Sequence, residues 1–308
     1  MIQMKQAAGV LFCLLAAPCF GQQGAPAWEF RDAAEQTYVM NQSSRVVLSP
    51  GTDSESEVSF SRTLDFSWRV AAVNRGAATV AVEVRRARLN AVGPSGAAVE
   101  FDTDSDEKGE GYAAQLEPVL RALCGAELSA RVSAAGAISK QQMPQSLAEA
   151  IDAAPGGDLI EGFSTAAGLE NLFSLGWPST EKEKVSAGQF GTFVVEMKHS
   201  SETDGDGVTR FNTRGQVVLL AGDASEGVVL KSREPRVSGR LVLDGSTGLV
   251  RSSERTVEVV LEATGNSRTQ PVRVEHRVEF EAVDYPGEDS SAGGSSLEGV
   301  STAGSVGG

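Results

Sequence analysis

Two histidines, three cysteines and a surplus of carboxylates are the groups with chemistry to offer in this 308-residue chain. His276 shares the strand parity of Val272, Val274, Val278 and Phe280, and His199 that of Phe193, Val195 and Met197. A lone histidine on an apolar strand face is most often a core residue with one satisfied hydrogen bond. Zinc needs several Cys, His or carboxylate ligands at tight spacings, and neither histidine has a Cys partner or an HExxH arrangement. No GxSxG elbow accompanies either one, so a Ser-His-Asp triad is not indicated. Cys124 lies in an apolar helical pattern with no histidine near it in sequence, which reads as a small buried hydrophobe rather than a catalytic thiol.

The carboxylates cluster twice. Asp102, Asp104, Asp106, Glu107 and Glu110 start like a calcium loop, with an acid at every second position. The match then fails, because position 6 is not Gly and position 12 is Ala113. Thr203-Asp204-Gly205-Asp206-Gly207 is first of all a hairpin turn between two strands. A hydrolase using acids such as Asp102 or Asp104 would need two carboxylates about 5–10 Å apart in a cleft, which spacing along the chain does not establish. There is no P-loop or GxGxxG cradle for phosphate. The 27 basic and 41 acidic residues give a net charge of −14, which argues against a nucleic-acid partner. No metal and no cofactor are expected.

These groups would be carried mainly by long strands. Val58, Phe60, Leu64, Phe66, Trp68 and Val70 share one parity, with Ser59, Ser61, Thr63, Asp65, Ser67 and Arg69 on the other and Arg62 the one exception on the apolar side. This alternation over about 15 residues predicts a strand about 50 Å long. Asn74-Arg75-Gly76 predicts a turn, and Val80, Val82 and Val84 resume the pattern until a phase slip predicts a bulge near Arg85–Arg86. Later, Val257, Val259, Leu261 and Ala263 face one way, as do Val272, Val274, Val278 and Phe280, and Asp244-Gly245-Ser246-Thr247-Gly248 marks a hairpin. One buried and one wet face is the signature of antiparallel sheet.

Between the strand-rich stretches, Leu116, Val119, Leu120, Leu123 and Cys124 follow helical spacing, with Gly125 as a stop and Pro118 assigned to the first turn. A second helix is expected near Ser146–Ala154, with Ser146 and Glu149 as a capping box, and a third near Thr165–Leu175. The fold class is therefore β-rich α+β: a large curved antiparallel sheet, half-barrel-like, with two or three short helices packed on its concave face.

Lys5, the apolar run from Ala7 to Ala17 and the small residues Cys19 and Gly21 have the layout of a secretory signal peptide cut before Gln22. The rival is a lipoprotein signal with Cys19 lipidated, against which Pro18 departs from the usual pattern. Removal of residues 1–21 deletes Lys5 and no acid, leaving 26 basic against 41 acidic residues, or −15. It also leaves Cys124 as the one cysteine, so no intramolecular disulfide is expected. The expected organisation is a signal segment at 1–21, one β-rich domain at 22–286 with a helical insert at about 112–175, and a disordered tail at 287–308. Of the last 21 residues, 12 are Ser or Gly, too few apolar groups to order themselves. No later stretch is long and apolar enough for a membrane span, so the mature protein is expected to be extracytoplasmic, periplasmic or secreted.

The order of several short motifs resembles an uncharacterised family of exported proteins from planctomycete-type bacteria, defined only as a domain of unknown function. The motifs are Leu64-Asp65-Phe66-Ser67-Trp68-Arg69-Val70, Val99-Glu100-Phe101-Asp102-Thr103-Asp104, Ala114 to Leu123, Ser133 to Ile138, and Leu243-Asp244 with Gly248-Leu249-Val250. The resemblance spans roughly residues 28–283. Family members often carry Trp after the Gly of a Val-x-x-Gly-x-x pattern, whereas here Val185 and Gly188 are followed by Phe190. The resemblance implies fold and export and assigns no activity.

The function expected from the residues is that of an exported, non-enzymatic protein binding an apolar or lipid ligand between sheet and helices. Phe60, Phe66, Trp68, Leu116, Leu120, Leu169 and Phe173 are the candidate cavity lining, and the alternative for the same residues is plain core. An envelope structural or protein-interaction module is the competing function, with an envelope protein as partner.

Overall fold

The computed structural model describes residues 28–49, 55–93, 96–153, 166–177, 182–186, 192–220, 228–265 and 268–283. The expected signal segment, with Cys13 and Cys19, and the Ser/Gly-rich tail lie outside these residues. The strands are β1 Glu35–Leu48, β2 Ser56–Asn74, β3 Ala77–Val92, β4 Ala98–Asp102, β5 Glu127–Ser133, β6 Ile138–Gln142, β7 Lys182–Ser186, β8 Thr192–Thr203, β9 Val208–Leu220, β10 Val228–Asp244, β11 Leu249–Gly265 and β12 Arg268–Val283. The helices are α1 Tyr112–Leu123, α2 Gln145–Ala153 and α3 Ala166–Ser174.

The strands form one antiparallel sheet in the order β6-β5-β3-β2-β1-β12-β11-β10-β9-β8-β7, with β4 beside β3. The sheet is not closed: β6 and β7 stand at its two ends. The bulge expected from the phase slip is present. Arg86 pairs with Asp65 and Val84 with Phe66, which leaves Arg85 as the extra residue. The segment at 112–175 is not wholly helical, because β5 and β6 within it extend the sheet past β3.

Two helix starts differ from expectation. α1 begins at Tyr112, so Pro118 lies inside the helix rather than in its first turn. Proline lacks the N–H for the bond to residue 114, a local cost that the buried face of Ala113, Leu116, Val119, Leu120 and Leu123 outweighs. α2 begins at Gln145, with the Pro144 carbonyl accepting from the Leu147 and Ala148 amides. Ser146 therefore lies within the helix, and Glu149 accepts from the Gln145 side chain (2.7 Å) in place of closing a capping box.

The curl of the sheet follows from one side chain. Trp177 packs on Phe211 of β9, with ring centroids 5.5 Å apart. It also lies so close to Gly136, in the β5–β6 turn, that a Cβ there would sit 2.6 Å from its ring. Seven strand spacings separate β5 from β9 along the sheet, about 34 Å if it were flat. A single indole spans both sites only because the sheet wraps round into a half-barrel.

Trp28 closes one end of this half-barrel. Its indole stacks between Trp177 (4.8 Å) and Trp68 (5.5 Å), so all three tryptophans of the chain form one stack. Its amide donates to the Ala134 carbonyl in the β5–β6 turn and its Nε1 donates to the Gly248 carbonyl in the β10–β11 turn (3.0 Å). Arg31 donates to the Gly245 and Ser246 carbonyls of the same turn. That turn is itself organised by Asp244, whose carboxylate accepts from the Ser246 hydroxyl and amide and pairs with Arg251 at 3.0 Å. The Ser246 hydroxyl first, then its amide and Arg251, hold the Asp244 carboxyl down at about 2. Its contribution is present above the ordinary carboxylate value and is lost as pH falls through about 2. Asp244→Asn is expected to cost about 1 kcal/mol at neutral pH, and to remove part of the destabilisation seen between pH 4 and 2 in urea unfolding.

The helices pack on one face of the sheet. Their buried side chains join Tyr38, Met40, Leu64, Phe66, Trp68, Val80, Val82, Val84 and Phe280 in a first apolar cluster. A second cluster, farther along the same strand face, consists of strand residues alone: Val46, Val195, Met197, Val217, Val237, Val257, Val259 and Val274. The outward face of β12 carries Arg273, Glu275, Arg277 and Glu279, and that of β11 carries Glu254, Glu258 and Glu262, opposite to the apolar outer belt of a transmembrane barrel. Among the described residues no helix is long and apolar enough to cross a membrane.

Candidate functional site

Strand register brings together a set of polar residues that are scattered in sequence. His199 pairs with Thr213, Thr213 with Gly239, Gly239 with Arg255, Arg255 with Val278, Val278 with Gln42, and Gln42 with Arg62. Directly opposed residues of an antiparallel pair share a face. These seven positions therefore form one row across β8, β9, β10, β11, β12, β1 and β2 on the inner face. His276 and Ser44, paired with each other, sit one step farther along. The row divides the two apolar clusters. On one side the neighbouring row includes Phe211, Leu241, Phe280, Met40 and Leu64; on the other lie Val237, Val257 and, farther along, Val259, Val274 and Val46.

The row sinks from surface to core. His199, Thr213, Gly239 and Arg255 are half-buried, whereas Gln42 and Arg62 are 5% and 3% exposed. At the shallow end a cleft of about 20 Å³, room for a water or a ligand oxygen, is lined by Trp177, Met197, His199, Thr213, Gly239 and Arg255 among others. Gly239 keeps this floor low: a Cβ would lie 3.0 Å from the Glu254 carbonyl oxygen and 3.4 Å from Thr213 Cβ. His199 Nδ1 and the Thr213 hydroxyl are 2.9 Å apart.

At the deep end His276 Nδ1 lies 2.6 Å from the Ser44 hydroxyl and its Nε2 lies 3.4 Å from the Gln42 amide nitrogen. Burial, reinforced by the positive charges of Arg255 and Arg62, pushes the imidazole down to about 3. His276 is thus neutral near pH 7 and a poor base. A general base works best with a pKa near the operating pH, so Ser44 and His276 are a structural hydrogen-bonded pair rather than a nucleophile and its base. Burial also lowers the Arg62 guanidinium to about 10, still charged at neutral pH. Two buried polar atoms near the row, Gln42 Oε1 and Trp177 Nε1, have no hydrogen-bond partner among the described residues.

All seven residues expected to line a cavity fall in the first apolar cluster: Phe60, Phe66, Trp68, Leu116, Leu120, Leu169 and Phe173. Six lie away from the polar row. Phe66 stacks with Tyr38 (5.8 Å), and Trp68 donates from Nε1 to the Phe173 carbonyl (3.2 Å). Phe60 stands opposite Ser44, next to the row. Neither cleft described here is lined by any of the seven. Gln42, Ser44, Thr213 and Arg255 were not singled out from sequence. The available signal was a polar residue on an apolar strand parity, visible at Arg62, His199 and His276.

The acidic residues are engaged elsewhere. Asp102 and Asp104 both pair with Arg86, which holds the Asp102 carboxyl below the usual range. The Thr103, Ser105 and Glu107 carbonyls converge on the Arg121 guanidinium. Asp204 closes its own hairpin, accepting from the Asp206 and Val208 amides and pairing with Arg210. Among the described residues no cluster of His, Cys, Asp and Glu has the arrangement of a metal site. A larger groove of about 470 Å³ at β2–β4 is lined by Arg88, Asn90, Glu100 and Asp102 among others; Asn90 donates to Glu100 across it, and Arg88 is engaged by Asp65 beside it. Cys124 is a free thiol whose Sγ lies 3.4 Å from the Thr103 hydroxyl, and burial raises its pKa.

No protein-family model and no curated protein matches the chain. Among solved structures, DynF from the dynemicin biosynthesis pathway of Micromonospora chersina aligns over 89% of this chain and 96% of its own, at 6% identity and a TM-score of 0.22. The outer membrane protein OprG from Pseudomonas aeruginosa aligns over 82% and 98%, at 5% identity and a TM-score of 0.18. Neither likeness bears on what this chain does.

Proposed function

We propose that this is an exported, non-enzymatic binding protein that holds an apolar or amphipathic ligand against the inner face of its half-barrel. The observation that carries the reading is the polar row with Arg62, Gln42 and Arg255 set between two apolar clusters on one face. Burying a guanidinium in apolar surroundings costs folding free energy, and hydrophobic residues of similar volume would serve the core as well or better. Charged groups kept in a concave apolar setting are characteristic of binding sites.

Native mass spectrometry tests this directly. Protein recovered from an exported preparation is compared with the same sample under denaturing conditions. The expected result is an extra mass of lipid size that is lost on denaturation. A clean monomer mass, together with no binding of a fluorescent polyene fatty acid or its alcohol, sinks the reading. The second reading, an envelope interaction module, is favoured by the two sheet ends, where β6 and β7 each pair on one side only among the described residues. A dimer without adduct supports that one.

A further inference from the structure

We propose that the groove at β2–β4 is a second binding site, separate from the inner face of the half-barrel, and that its ligand is a neutral oligosaccharide. The groove is about 470 Å³, a volume typical of small-ligand sites. Its floor is set by strand register. Ser61 pairs with Asn90 and Asn90 with Glu100; two residues along, Thr63 pairs with Arg88 and Arg88 with Asp102. These six take the parity opposite to the buried Leu64, Leu89 and Phe101, so they point away from the apolar core. Each row presents the same order of groups: a hydroxyl, a nitrogen donor and a carboxylate. The two rows stand about 7 Å apart along the strands. Ser105, Glu107 and Lys108, from the segment after β4, complete the lining.

This lining selects the class of ligand. Its apolar residues, Leu89 and Phe101, are 3% and 6% exposed, so what remains on offer is polar. An apolar molecule would strip water from those groups and return no hydrogen bonds. Glu100 and Glu107 disfavour a polyanion, and Arg88 and Lys108 a polycation. A sugar hydroxyl both donates and accepts, which suits a floor where donors and acceptors alternate twice over. The groove is also held in shape in advance, which lowers the cost of binding. Asp65, its side chain 8% exposed, accepts from Arg88 Nη2 at 2.8 Å. Arg121 of α1 donates to the Thr103, Ser105 and Glu107 carbonyls and fixes the segment after β4. Groups remain for a ligand. The Ser61 hydroxyl and the Glu107 carboxylate make no hydrogen bond among the described residues, and Asn90, which donates to Glu100 at 3.0 Å, keeps its own carbonyl oxygen.

The test is isothermal titration calorimetry of the full chain with four neutral hexaoses: maltohexaose, cellohexaose, laminarihexaose and N-acetylated chitohexaose. Hexagalacturonate is the anionic control. At least one neutral hexaose is expected to bind, with the same affinity at low and high salt because the ligand carries no charge, and hexagalacturonate is expected not to bind. Asn90→Ala should weaken binding about tenfold, the scale of one or two neutral hydrogen bonds. Ser61→Tyr puts a ring into the floor and should abolish binding, while the melting temperature and the uptake of the polyene fatty acid stay as in the wild type. Glu100→Gln, at an exposed position, provides a further variant with no burden on folding and should weaken binding several-fold. Failure of all four neutral hexaoses to bind overturns the proposal, as does tighter binding of hexagalacturonate. Neutral-sugar binding that survives both Asn90→Ala and Ser61→Tyr places the site elsewhere and overturns it too. None of these results bears on the ligand of the inner face, which the fatty-acid probe reads separately.

Discussion

Trp28→Ala is expected to lower the folding free energy by about 3–5 kcal/mol, one of the largest losses available to a single substitution in this chain. Three contributions combine. The indole is 2% exposed, so its removal leaves a cavity that rigid neighbours cannot fill. It is the middle ring of the Trp68–Trp28–Trp177 stack, and offset aromatic pairs add to simple burial. Its Nε1 bond to the Gly248 carbonyl, together with its backbone bond to Ala134, joins two turns that are six strand spacings apart along the sheet. Loss of the ring therefore weakens the closure of the half-barrel as well as the core. Urea unfolding followed by fluorescence gives the magnitude, with the midpoint lowered and the slope unchanged if the native state stays compact. Trp28→Phe keeps a ring in the stack and should cost about 1–2 kcal/mol. A loss below about 1 kcal/mol for the alanine variant would show that the segment from Trp28 to Ala34 merely lies on the barrel end.

Acidification from pH 6.5 towards pH 3 is expected to remove on the order of 3 kcal/mol of stability through His276 alone. Burial and the charges of Arg255 and Arg62 place the folded imidazole at about 3, whereas an unfolded histidine titrates near 6.5. Between those values the unfolded chain binds a proton that the folded chain refuses, so stability rises with pH across the window and is fully present above about 6.5. The groups facing the ring are uncharged on β1, Ser44 and Gln42, and cationic on β2 and β11, Arg62 and Arg255. Among the described residues no carboxylate hydrogen-bonds the ring to stabilise the imidazolium. His276→Gln should therefore flatten the stability profile between pH 6.5 and 4 while leaving the Asp244 effect below pH 4 in place. Urea midpoints for both proteins at half-unit pH steps measure this. Parallel profiles for wild type and variant would mean that His276 is protonated in the folded protein.

Much of the fold was legible because the signals are local. Period-2 alternation placed β2, β3, β11 and β12, and the phase slip in Val84–Arg88 located the bulge at Arg85. Asn74-Arg75-Gly76, Thr203 to Gly207 and Asp244 to Gly248 marked hairpins that the structure contains. The stripe of Leu116, Leu120 and Leu123 predicts α1, but the local rule that keeps proline in a first turn starts the helix later than Tyr112. Tertiary packing tolerates a proline that local rules would move to the helix end. β5 and β6 carried too few residues to stand out from the helices around them, and their pairing depends on β3.

The sequence by itself determined which residues face inward, since parity along a strand is a property of consecutive residues. It even exposed Arg62, His199 and His276 as polar residues on apolar parities. Only the tertiary structure decided that Arg62, Gln42, Arg255, Thr213 and His199 stand in one row, and that Trp28, Trp68 and Trp177 stack across the barrel end. Register between strands as distant in sequence as β1 and β12 is set by cross-strand packing, turn lengths and bulges, none of which is written near the residues it aligns. A slip of one residue in β2 would turn Arg62 outward and dissolve the row, yet leave the local pattern of that strand unchanged.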